Sequence, residues 1–289
     1  MKINGLELLS MEFVIDGNFD IIRATDNLKF KTILDVGVGN GSASKYFALK
    51  NKDVTSIGLK FDNYNIDKEA MYSLGINLIE TSIENYKSTR KFDGIWASHV
   101  LEHTRNVGVV LDKFYNLLSK DGWLFIMVPP YKNNVVGGHI TNGWNLGQLM
   151  YNLLLSGFDI KNGHYIKHGY NICAFVQKKE KESLELLSDF GDIDNTKSLW
   201  PLEVEEGFDG NLKSINWFSN FKNYSYLKNV ISDLKESIVN LEAKNKALLL
   251  VQKQLKESMI NLEEKNKGLV EYAENIENKF NYYKIKNLK

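Results

Sequence analysis

A single cysteine, Cys173, stands in 289 residues, so the chain can close no disulfide on itself and build no thiolate metal cluster. That fits a reducing compartment, and a cytoplasmic location is expected. Arginine is almost as scarce: only Arg23, Arg90 and Arg105 occur, although Lys plus Arg (36) balance Asp plus Glu (36). A net charge of zero gives no field to draw the chain onto nucleic acid or an anionic membrane, and lysine lacks the planar fork that base and phosphate recognition favour. Nucleic acid is therefore not an expected partner. No 18 apolar residues run together, and the opening MKINGLELLSMEF lacks the apolar core of a signal peptide, so no membrane span is expected.

What the chain does have is alternation. From Thr32 to Lys179, short apolar runs (TILDVGV, DVTSIGLK, INLIET, FDGIWASHV, WLFIMVPP, FDIKNGHYIKHG, NICAFVQKK) alternate with helix-like stretches. One such stretch, Val107 to Leu118, repeats Val110, Leu111, Phe114, Leu117 and Leu118 at helical spacing. This predicts an α/β fold, a parallel sheet built from βαβ units and closed by two longer strands. Residues 1–180 form this domain. Residues 181–223 follow neither period but carry Trp200, Phe208, Trp217 and Phe218, a density that predicts a docked segment rather than a free linker.

The first strand ends in Asp35-Val36-Gly37-Val38-Gly39-Asn40-Gly41 before a helix. Glycines there let the backbone turn sharply and approach a ligand, which the next helix's amides face. The dinucleotide fingerprint fails, because its third glycine is Ser42. The spacing instead resembles motif I of the class I S-adenosyl-L-methionine (SAM)-dependent methyltransferases. Phe92-Asp93 through Val100-Leu101-Glu102-His103 resembles that family's fourth-strand signature. Leu118 to Gly122 and the strand after it resemble its fifth-strand turn, and His139, the helix around Leu146 to Leu155 and Gly157-Phe158 match the run near the end of such domains.

The resemblance implies a Rossmann-like, seven-stranded methyltransferase sheet with SAM as cofactor. Asp35, Gly37, Gly39 and Gly41 carry over as the loop against its methionine and ribose parts, Ser82, Ile83 and Glu84 fall near the adenine, and Ser98 ends the fourth strand. One position departs. Where the family usually has an acid for the ribose hydroxyls, this chain has Gly58 or Leu59, and the nearest carboxylate is Asp62.

Methyl transfer from a sulfonium needs alignment and exclusion of water, and a hydroxyl acceptor also needs a base. His99 and His139 both fall on the sheet's carboxyl edge and are the candidates. His103, His164 and His168 read as packing or surface residues, and no histidines and carboxylates stand at metal-ligand spacing, so no metal is expected.

From Tyr224 the character changes: no proline, one glycine, and leucine at 227, 234, 241, 248, 255, 262 and 269 with Ile276 in step. Four residues after each lie Ile231, Ile238, Asn245, Gln252, Met259, Asn266, Ala273 and Phe280. The segment LKESIVNLEAKNKALL recurs 21 residues later as LKESMINLEEKNKGLV, which fixes the register. A coiled coil over 224–286 is predicted, a rod of roughly 90 Å. Asparagine at two equivalent core positions favours a parallel dimer, while Gln252 and Leu249 to Val251 leave a trimer open.

The expected function is SAM-dependent methyl transfer to a small-molecule or carbohydrate acceptor by a homo-oligomer. The resemblance points to O-methylation in bacterial surface-polysaccharide biosynthesis, where such enzymes can carry long coiled coils and complex with other biosynthetic enzymes. Aromatics around Trp200 would offer a sugar a stacking surface. The alternative is a degenerate methyltransferase-like scaffold acting through its coiled coil.

Overall fold

The computed structural model describes residues 18–64, 66–130, 137–141, 143–180, 186, 191–219 and 225–286, with side chains from 235 to 279 in the last helix. The opening segment read for a signal peptide, and the side chains of Leu227, Ile231, Leu234 and Phe280, lie outside the described residues. The chain divides into two compact units, Met1–Lys228 and Asn229–Lys289.

In the first unit, α1 (Asn18–Ala24) precedes β1 (Thr32–Val36), α2 (Ser42–Leu49), β2 (Asp53–Gly58), α3 (Lys68–Ser73) and β3 (Asn77–Glu80). Then come β4 (Phe92–Ser98), α4 (Val107–Leu117), β5 (Leu118–Val128), α5 (Leu146–Leu155), β6 (Phe158–His168) and β7 (Asn171–Lys178). After the short helix α6 (Asp192–Thr196) comes β8 (Ser214–Ile215). The sheet has eight strands in the order β3-β2-β1-β4-β5-β7-β6-β8. The seven predicted strands all form. The eighth comes from the aromatic-rich segment, where Ile215 pairs with Tyr165 and Ser214 with Ile166.

The alternation of side chains along each strand builds two cores, one on each face of the sheet. Leu34, Val36, Ile95, Ala97, Leu124 and Ile126 pack with α4 and α5. Their neighbours in sequence, Ile33, Trp96, Phe125 and Met127, point the other way onto α1 and α2 residues such as Ile21, Tyr46 and Phe47. With both faces covered the strands must be apolar throughout, which is why they read as continuous runs.

Residues 191–219 dock onto this unit. Trp200 is 4% exposed and donates to Thr196 Oγ1 at 3.1 Å, Trp217 packs on Phe175 with ring centroids 5.1 Å apart, and Phe218 lies 4.3 Å from the His164 ring. Trp200 is consumed by packing, whereas Phe208 and Trp217 are half-buried.

The strand order reverses between β1 and β4: β2 and β3 lie on one side of β1, and β4 and β5 on the other. All five are parallel. Ligands of open parallel sheets bind in the crevice outside the carboxyl ends at such a point.

The second unit is one helix, α7, Ser225–Lys286, 62 residues and so about 93 Å long. Within the single chain the heptad residues Leu241, Leu248, Leu255, Leu262 and Leu269 are each 60–65% exposed. No helix of the described residues is long and apolar enough to cross a membrane.

Candidate active site

Gly37, Gly39 and Gly41 have φ of +76°, +53° and +82°, in the left-handed region that side chains rarely adopt. A Cβ on Gly37 would lie 2.9 Å from Val100 Cγ2. The loop therefore crosses the sheet edge with bare backbone. Asp35 holds it from beneath rather than facing a ligand. Its carboxylate is 1% exposed and accepts the Ser44 hydroxyl, which also pairs with Ser56 Oγ at 2.7 Å. Burial pushes the Asp35 carboxyl up to about 6, against the lowering pull of Ser44. Gly41 starts α2, packed so closely on Met71 that a Cβ would meet its sulfur at 2.9 Å.

A cavity of about 430 Å³ opens at the switch point. Gly37, Val38 and Gly39 form one wall, Gly58, Leu59 and Tyr64 a second, Thr81 to Glu84 a third, and Ser98, His99 and Val100 a fourth, with His103 and Thr104 beyond. Of the residues predicted to bind cofactor, Gly37, Gly39, Ser82, Ile83 and Ser98 meet here. Asp35 and Gly41 support the loop without lining the cavity.

Asp62 is a correction. It does not line the cavity, and its side chain, 92% exposed, pairs with Lys68 at 3.0 Å. The short 3₁₀ turn Phe61–Tyr64 buries Phe61 and sends Asp62 to solvent, while Tyr64 lines the cavity instead. The glycine at the end of β2 has a steric cause. A Cβ on Gly58 would stand 2.9 Å from Val38 Cγ1 and 3.4 Å from the Phe61 ring, so a side chain there would have to displace Val38.

His99, with a positive φ of +55°, follows β4 directly. Its Nδ1 lies 2.9 Å from Glu102 Oε1 and its Nε2 2.8 Å from Asn171 Oδ1, and its ring stacks on Tyr170 at 5.7 Å. Both nitrogens face oxygen acceptors, the arrangement of an imidazolium. Turning over the Asn171 amide, whose Nδ2 is otherwise buried without a partner, would give a neutral ring that accepts from it. In both cases neither nitrogen is open to a substrate proton, which argues against His99 as the base.

His139 reaches the same edge from the loop after β5. Its ring centroid lies 5.4 Å from that of His103, and the ligand atoms of Glu102, His103 and His139 fall within 4.8 Å of one another. This grouping was not expected. The 35 residues between His103 and His139 hide it, since no metal motif has that spacing, and the buried Glu102 carried no signal beyond its place beside His103.

Comparison with known proteins agrees with this architecture. The sequence profile of a methyltransferase-domain family matches residues 17–167. A ubiquinone biosynthesis O-methyltransferase of Glaesserella parasuis is 32% identical over 110 residues, 35% of this chain and 47% of that protein. N-methyltransferase 4 of Papaver somniferum is 27% identical over 105 residues, 34% of this chain and 30% of that protein. The chain thus spans between about a third and a half of these curated relatives. The fold is shared with the 1,6-didemethyltoxoflavin-N1-methyltransferase of Burkholderia thailandensis, solved with 1,6-didemethyltoxoflavin and S-adenosylhomocysteine. The TM-score is 0.50 at 17% identity, over 61% of this chain and 83% of that one. Such a sheet, with a glycine loop at its switch point, defines a nucleotide-type ligand fold. The chain belongs to the class I, SAM-dependent methyltransferase-domain family.

Proposed function

We propose that the chain transfers a methyl group from SAM to a small-molecule acceptor. The observation that carries this is the cavity at the switch point, walled by the glycine loop and the ends of β2, β3 and β4. The residues present fit the cofactor. Left-handed glycines leave room for close backbone approach, Ile83 and Leu59 give apolar walls for a base, and Ser82, Ser98 and Tyr64 place hydroxyl donors around them. SAM, when bound, supplies an activated methyl on a sulfonium. The chain's own part is to orient the acceptor and keep water out.

Proton removal from a hydroxyl acceptor falls to His139 and its neighbour His103, since His99 is held by Glu102 and Asn171. His99 is then a positioning residue that closes the back of the cavity. O-methylation of a carbohydrate in surface-polysaccharide biosynthesis is the finer reading. It draws support from the resemblance and from the exposed heptad stripe of α7, which we assign to a parallel coiled-coil dimer of a cytoplasmic enzyme.

Gly58, with no acid for the ribose, favours one other reading, a scaffold that has lost catalysis. Titration of SAM into the purified chain by calorimetry separates the two. Saturable heat at micromolar to millimolar SAM is expected, and no heat at millimolar SAM would sink the enzyme.

A further inference from the structure

Glu102 is fully buried, yet only half of its carboxylate is engaged. Oε1 takes His99 Nδ1, while Oε2 is enclosed with no hydrogen-bond partner among the described residues. A buried carboxylate oxygen left alone is costly, and a cation beside it removes the cost. His103 Nε2 is 3.9 Å from Oε1, the oxygen that also meets His99, and the other ring nitrogen, Nδ1, donates to the carbonyl of Gly138 at 2.6 Å. A backbone carbonyl on one nitrogen fixes the tautomer that leaves the other with its lone pair exposed, the usual second contact of a metal-binding imidazole. The lone pair is thereby directed to the Glu102 side.

The third group is fastened in place by backbone. Immediately after His139, the amides of Ile140 and Thr141 both donate to the Glu102 carbonyl, at 2.6 and 3.1 Å, and the Thr141 hydroxyl donates to the Thr104 carbonyl at 2.9 Å. Four hydrogen bonds, counting that of His103 to Gly138, thus tie the loop carrying His139 to the turn carrying Glu102 and His103. Loop closure over 35 residues is spent on bringing two imidazoles and a buried carboxylate together.

We propose that Glu102, His103 and His139 bind a divalent transition-metal ion of borderline hardness, such as Zn2+. Two imidazoles and one carboxylate are a common donor set for such an ion, and they leave a fourth position open. The three ligand atoms, now within 4.8 Å, need only approach to roughly 3.4 Å, the separation around a tetrahedral ion, by rotations of His103 and His139. Because His103 also lines the cavity, the open position is the one within reach of an acceptor. Building on the methyltransferase reading above, this deepens it. The substrate class becomes an oxygen acceptor whose hydroxyl the ion acidifies so that its proton passes to bulk water, and His103 and His139 act as ligands rather than as the base.

The test uses the full chain stripped with a chelator, then titrated with ZnCl2 by calorimetry and with CoCl2 by visible absorption. One Zn2+ per chain at micromolar or tighter affinity, and the intense Co2+ spectrum of a four-coordinate site, are expected. His139→Ala and His103→Ala should each weaken Zn2+ by about 100-fold or more, with thermal unfolding confirming that they fold, whereas His164→Ala should leave the affinity unchanged. Glu102→Gln, close to isosteric, should also lose the ion. No stoichiometric uptake, or uptake that neither histidine variant weakens, overturns the site. SAM titration of the stripped protein is read separately: a chain that binds Zn2+ but not SAM keeps the metal site and loses the methyltransferase reading, and the reverse result does the opposite.

Discussion

Asp35 shows how a motif residue can be right in position and different in task. The D-x-G-x-G-x-G spacing was legible in the sequence, but the carboxylate's partners, Ser44 nine residues on and Ser56 on the next strand, were not, because both are ordinary serines in apolar surroundings. Its pKa, raised by burial from 3.8 to about 6, has a consequence for stability. Between these values the native state holds a proton that the unfolded chain has released. The contribution of this group to stability is therefore most favourable below about pH 4 and declines as pH rises to 6, by about 3 kcal/mol. Asp35→Asn, which keeps an acceptor for Ser44, should flatten that decline, as urea midpoints taken from pH 4 to pH 7 would register. A second test concerns Gly39. At φ +53°, Gly39→Val would strain the turn and fill the wall of the cavity, so SAM heats should vanish while the fold persists. Unaltered binding would put the cofactor elsewhere.

Among the elements, the strands were readable because a sheet covered on both faces leaves runs of Val, Ile, Leu and Phe that nothing else explains. The docked segment was less so. Its aromatics announced burial, but β8 is two residues long, and part of the contact that seats the segment is made by backbone. Gly147 at the start of α5 lies against Gly210, where its amide donates to the Gly210 carbonyl at 3.0 Å and an added Cβ would come within 2.3 Å of the Gly210 Cα. Asn145 caps α5 through Gln148 N at 2.8 Å and ties it to the Asp209 carbonyl with its amide. Gly147→Ala should release the segment, seen as new proteolytic cleavage between 191 and 219. Asn145→Ala should cost about 1–2 kcal/mol and lower Tm by several degrees. The edge turns at Asp62 and His99 were the elements least legible, because a 3₁₀ turn or a single left-handed residue decides which side chain faces the cavity, and neither has a period.

For the whole molecule, the heptads needed no fold to be read, and α7 bears them on one continuous helix. Its leucines, exposed in a single chain, are the argument for a second copy, since a stripe of this length left in water is an aggregation liability. The full chain should sediment as a dimer, and Leu248→Lys with Leu255→Lys should give monomers that retain SAM binding. Replacing Asn245 and Asn266 by Ile should raise the thermal stability of the assembly and let higher oligomers form, because amides enclosed in the proposed seam would trade stability for a defined partner number.

Gly58 also bears on how this chain can change. A carboxylate at the end of β2 would crowd Val38. Gly58→Asp alone should weaken SAM binding by displacing Val38, and adding Val38→Ala, which opens that space, should restore part of it. Position 38 in the glycine loop and position 58 at the end of β2 are thereby coupled: the size of the first sets the room for a ribose-binding acid at the second.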